Sequence, residues 1–138
     1  MRSELDKQLC EKYPKIFADR YKPMTETAMC WGFDHGDGWY QILDSLCSQI
    51  QHHIDRQNRN EVKVAQVVAA QVKEKFGGLR FYYDGGDDVI DGMVRMAESW
   101  AANTCETCGR PGKLRGHGWL YTACNDHTKT EDMILDSK

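Results

Sequence analysis

The sequence has few prolines, three in 138 residues, and no proline-rich or glycine-rich tract. Collagen-like and extended linker architectures are thereby excluded. Nothing approaches the run of roughly 18 apolar residues that a membrane-spanning helix needs. There is no large excess of either charge: 18 basic against 21 acidic residues leave a net charge of -3. A strongly basic nucleic-acid binder is excluded, although a local basic patch is not. The opening stretch MRSELDKQLC is charged and has no apolar centre, so no secretory signal is expected there. H-E-x-x-H, G-x-S-x-G, P-loop and dinucleotide-binding fingerprints are also missing, and the enzyme classes built on them go with them.

What is present is a globular balance of 41% hydrophobic and 28% charged residues. A chain of this length can bury roughly two-thirds of its unfolded surface as one domain. Its six cysteines are unevenly placed. Cys10, Cys30 and Cys47 stand singly, whereas Cys105, Cys108 and Cys124 fall close together and are followed by His127. The second group reads C-x2-C-x15-C-x2-H. A disulfide framework would spread across a short secreted chain. Reduced thiols in a cytoplasm fit better, with the single cysteines as small buried hydrophobes.

Two ligand pairs at this spacing suit a closed, structural zinc site of three thiolates and one imidazole. The intervening GRPGKLRGHGWLYTA has turn residues at Pro111-Gly112 and at Gly116-His117-Gly118. It can fold back as a small hairpin and bring Cys124 and His127 to the ion. His117 competes for the fourth position, and His127 is preferred because it completes a second x2 pair. Three thiolates, a neutral imidazole and Zn²⁺ sum to one negative charge, which Lys113 and Arg115 can offset.

Apolar spacing predicts short helices over 3–12 and 14–20, then an irregular stretch to Gly38. A long helix follows to about Gln57, N-capped by Asp37 and carrying one stripe of Trp39, Ile42, Leu43, Leu46, Ile50 and Ile54. Residues 61–72 alternate like a strand, but their Ala and Gln content leaves a helix open. Gly77-Gly78 between aromatic-rich runs predicts a hairpin turn. Pairing Phe76 with Leu79 places Val72, Phe76, Leu79, Phe81 and Tyr83 on one face and Lys73, Lys75, Arg80 and Tyr82 on the other. Glu74 then opposes Phe81, which requires a bulge or a partly buried carboxylate. Another helix is expected from Val89 to about Asn103. The tail is polar apart from Met133, Ile134 and Leu135, a short docking helix or a frayed end. The expected fold is α+β, with helices on a small antiparallel sheet or hairpin. Residues 1–104 form its core, 105–127 a zinc unit packed on it, and 128–138 the tail.

Weaker constellations surround this frame. Asp34, His35 and Asp37 match no calcium-loop spacing and read as a solvated loop. Cys30 near His35 is a weak nucleophile–base pairing. The cations Lys73, Lys75 and Arg80 beside Tyr82, with Lys113 and Arg115 in the zinc loop, form a candidate surface for phosphates or a partner. Asp84, Asp87 and Asp88 form a candidate acidic surface that mimics nucleic acid.

Three motifs in order carry a resemblance: GWY at Gly38–Tyr40, QVKEKFGGLRFYYDG at Gln71–Gly85, and CETCGRPGKLRGHGWLYTACNDH at Cys105–His127. From about Tyr13 to His127 the chain resembles a family of small proteins common in bacteriophages and prophages. The resemblance implies a phage-type origin and action in a bacterial host's cytoplasm, and it supplies no catalytic residue. Three functions are expected in descending order. The first is a non-enzymatic protein that engages a host protein or defence complex, such as CRISPR or another nuclease. The second is a nucleic-acid-binding accessory factor, and the third a small enzyme with an unrecognised site. No small-molecule substrate is indicated.

Overall fold

The apolar stripe after Gly38 becomes the central helix of an α+β fold in a computed structural model that describes residues 1–136. This helix, α2 in chain order, spans Tyr40–Asn58 and buries Ile42, Leu43, Leu46, Cys47, Ile50 and Ile54. Asp37 does not cap it. A short 3-10 turn, Asp37–Trp39, intervenes, and the Asp37 carboxylate instead accepts the Arg2 backbone N–H at 2.8 Å. The helix before it, α1, spans Ser3–Lys12. The second helix expected over 14–20 is a series of turns. Pro14 has no N–H to donate, and the Ile16 carbonyl accepts from Ala69 N–H at 2.7 Å. The segment is thus bonded to the sheet, with Ile16 and Phe17 buried. A largely buried ion pair, Asp6 with Arg20 at 2.9 Å, ties these turns to α1.

The ambiguous stretch resolves as a strand. Strand β2 (Val68–Lys75) pairs antiparallel with β3 (Gly78–Asp84). On its other edge it pairs in parallel with β1 (Phe33–Asp34), so the sheet is mixed, in order β1-β2-β3. The antiparallel-only expectation missed β1, because two residues inside an aromatic loop show no alternation.

The hairpin turn is Phe76-Gly77, at φ 53 and 84, rather than Gly77-Gly78. A two-residue turn with both φ positive matches the strand twist. Lys75 therefore faces Gly78, Glu74 faces Leu79, Lys73 faces Arg80 and Val72 faces Phe81. This register differs from the expected one by two residues, and side chains alternate with period two. The faces survive: Val72, Leu79 and Phe81 are buried, while Lys73, Lys75, Arg80 and Tyr82 share the outer face. Phe76 leaves the apolar face and stands 72% exposed at the tip. Glu74 is the partly buried carboxylate, accepting Gly77 N–H at 2.7 Å. The bulge lies elsewhere, between Ala69 and Gln71.

Helix α3 (Asp88–Ala101) buries Ile90, Val94, Ala97 and Ala101 against α2 and β3. Its N-cap is Asp87, which accepts Ile90 N–H at 3.1 Å and also meets His53 Nε2 at 2.8 Å. A second hairpin, β4 (Lys113–Arg115) with β5 (Tyr121–Ala123), follows. The backbone of Thr130–Asp136 forms α4. Met133 on it is exposed. The docking expected of Ile134 and Leu135 concerns side chains outside the described residues, as do Ser137 and Lys138. Among the described residues, no helix is long and apolar enough to cross a membrane.

Candidate metal centre

Cys105 follows the end of α3, and the chain turns at once. Gly109 N–H donates to the Cys105 carbonyl at 2.9 Å and Cys105 N–H to the Arg110 carbonyl at 2.8 Å, closing the loop that carries Cys105 and Cys108. The β4–β5 hairpin returns the chain, and Cys124 leads into a 3-10 turn, Asn125–His127. This turn points His127 back at the sulfurs. One ligand atom from each of Cys105, Cys108, Cys124 and His127 lies within 4.8 Å of all the others. Cys108 and Cys124 sulfurs are 3.7 Å apart, and His127 Nδ1 is 3.7 Å from Cys105 Sγ and 3.2 Å from Cys124 Sγ. The cysteines are not disulfide-bonded. The four groups could hold one metal ion. His117 is not among them: it is exposed, with Nδ1 3.7 Å from Asp132.

Arg110 hydrogen-bonds Cys108 and holds its thiol well below the ordinary range, so this ligand reaches the thiolate state readily. Sequence reasoning missed this role, although a cation two residues after a thiolate is its signal. Arg115 must be corrected. It is 4% exposed, its Nε donates to the Ala123 carbonyl at 3.2 Å and its Nη2 to Asn125 at 2.9 Å. A guanidinium used inside the hairpin this way buttresses the turn after Cys124 and is not open to phosphate. Lys113 is exposed on β4. Of the acidic trio, Asp84 and Asp88 are exposed, whereas Asp87 is engaged as helix cap and His53 partner.

The loop read as solvated is in fact the seat of this unit. Gly38 N–H donates to the Glu106 carbonyl at 2.7 Å, and Gly36 N–H to the Glu106 carboxylate at 2.8 Å. A Cβ on Gly38 would lie 2.1 Å from the Cys105 carbonyl oxygen, so only glycine permits this approach. Trp39, fully buried, donates Nε1–H to the Thr104 carbonyl at 2.9 Å. On the opposite side Thr122 Oγ1 donates to the Gly77 carbonyl at 2.6 Å. The candidate metal unit is therefore clamped between the Gly36–Trp39 loop and the hairpin tip.

His35 in the same loop is buried against Phe33 and Trp39. Its Nδ1 meets the Gly36 carbonyl at 2.7 Å and its Nε2 has no hydrogen-bond partner among the described residues, so neither nitrogen is bonded to Cys30. Burial pushes His35 down to about 4, with the N-terminal ammonium adding and Asp34 and Asp37 opposing. The unfolded chain, at about 6.5, takes up its proton first as pH falls. The His35 contribution is fully present above pH 6.5 and lost towards pH 4, on the order of 3 kcal/mol in total. Urea unfolding of His35→Phe is expected to show a correspondingly shallower acid loss than wild type. Equal slopes would mean that His35 titrates alike in both states.

Burial also pushes the Cys10 thiol up to about 12 and that of Cys47 further. Burial thus disfavours the reactive thiolate at both positions. The groove between α2 and α3, about 340 Å³ and lined by Ile42, Leu46, Met93, Met96 and Trp100 among others, holds no titratable group. Comparison with family models, with curated proteins and with solved structures finds no match to the chain.

Proposed function

We propose that the ion is zinc and that the chain is a non-catalytic binding protein of phage type, which engages a macromolecule of a bacterial host. The observation that carries this reading is the closed ligand set. Sulfurs bound at about 2.3 Å to a tetrahedral ion stand about 3.8 Å apart, and Cys108 and Cys124 stand at 3.7 Å. Four protein ligands leave no open position for an activated water, so the ion supports fold and not hydrolysis. The resemblance to phage and prophage proteins suggests a host defence complex as the partner, with inhibition as the outcome. A second reading, binding of nucleic acid, is favoured by the outer hairpin face, where Lys73 lies directly opposite Arg80 beside Lys75 and Tyr82. Elemental analysis of protein purified without added metal is expected to return about one zinc per chain. Folded protein without metal would refute the zinc reading.

A further inference from the structure

We propose that the tips of the two hairpins form a stacking site for bases of single-stranded nucleic acid. This assignment rests on the second reading above, binding of nucleic acid, and specifies the kind of strand bound. Phe76 and Trp119 are 72% and 76% exposed and line one cleft of about 180 Å³, with Glu74, Gly118 and Leu120. They come from loops 43 residues apart in the chain, held together by the Thr122–Gly77 hydrogen bond.

Phe76 is unfavourable here on two independent grounds. It is a bulky residue at φ 53, where a tight hairpin turn favours asparagine or glycine. It also leaves most of an apolar ring exposed. Strain and exposure together at one residue point to use at a surface. The cleft is below the roughly 300 Å³ of drug-sized pockets, and Phe76 and Trp119 give it two aromatic walls, which suits insertion of a flat base.

Charge complements this occupant. The Lys75 ammonium sits 5.7 Å from the Phe76 ring centroid. Lys73 and Arg80 lie further along the outer face of the hairpin, on the other side from Glu74, where a strand that passes over the tip reaches them. Glu74 is the carboxylate within the cleft, and it is engaged with Gly77 N–H. Rings that stack bases beside cations that follow a backbone are the recurring device for binding single strands without sequence preference. A duplex keeps its bases stacked internally and cannot use the cleft.

The test is fluorescence anisotropy with a labelled oligothymidylate across a salt series, using full-length protein of measured zinc content. Wild type is expected to bind at low salt and weaken as salt rises. Phe76→Gly and Trp119→Ala are each expected to weaken binding about tenfold or more, with zinc content unchanged. Phe76→Gly is also expected to unfold at the same or a higher temperature, because it relieves the positive φ. Lys75→Ser should reduce the salt slope by about 0.7. No binding by zinc-loaded wild type would overturn the stacking site alone, as would wild-type affinity in both ring variants or capture of a protein partner through these rings without oligonucleotide binding. Binding by folded protein that lacks zinc would sustain the site and refute the zinc reading.

Discussion

Cys108→Ser is expected to destabilise the protein far more than Cys47→Ser, against the order that burial alone predicts. Cys108 is exposed and Cys47 fully buried. Replacing a buried thiol by a hydroxyl costs about 1–3 kcal/mol, and at an exposed position the same change costs almost nothing in packing. On the zinc reading, Cys108 matters as a ligand. Apparent zinc binding free energies in isolated fingers reach about 10–16 kcal/mol, comparable to the whole stability of a domain at about 5–15 kcal/mol. Losing one of four ligands removes a large part of that. The loss should spread, since Glu106, between the two knuckle cysteines, holds Gly36 and Gly38 of the core. Thermal unfolding with and without a chelator checks this. The expected result is a large fall in Tm for Cys108→Ser, a modest one for Cys47→Ser, and a chelator effect confined to proteins that retain four ligands. Equal shifts for the two variants would remove the metal from the account of stability.

Trp39→Ala is expected to cost about 3–5 kcal/mol, the range for emptying a large buried aromatic. Its consequences should reach the metal. Trp39 sits between the core cluster and the residue before Cys105, to whose carbonyl it donates. Trp39→Phe separates the two roles. It keeps most of the apolar contact but leaves the Thr104 carbonyl without its donor, at a cost of about 1–3 kcal/mol. Urea unfolding should rank the proteins wild type, Trp39→Phe, Trp39→Ala. Metal transfer to a chromophoric chelator should be faster in Trp39→Phe than in wild type. Unchanged transfer would show that the indole supports the core alone.

The sequence by itself determined the group of four residues that could hold a metal, because C-x2-C and C-x2-H are local spacings in which a tight turn brings both members of a pair to one point. It also determined the central helix, α3 and the two faces of the hairpin. Periodicity is a property of neighbours along the chain, and a register error of two residues leaves it intact. Tertiary structure decided what depends on contacts between distant segments. The helix expected over 14–20 was lost because the Ile16 carbonyl found a donor at Ala69. Arg115 was taken out of solvent by the carbonyl of Ala123 and the side chain of Asn125 across its own hairpin. The Gly36–Trp39 loop became half-buried because Glu106, some seventy residues on, meets its backbone. Neither the loop nor the knuckle satisfies its backbone hydrogen bonds alone, so the need of each is invisible in its own sequence.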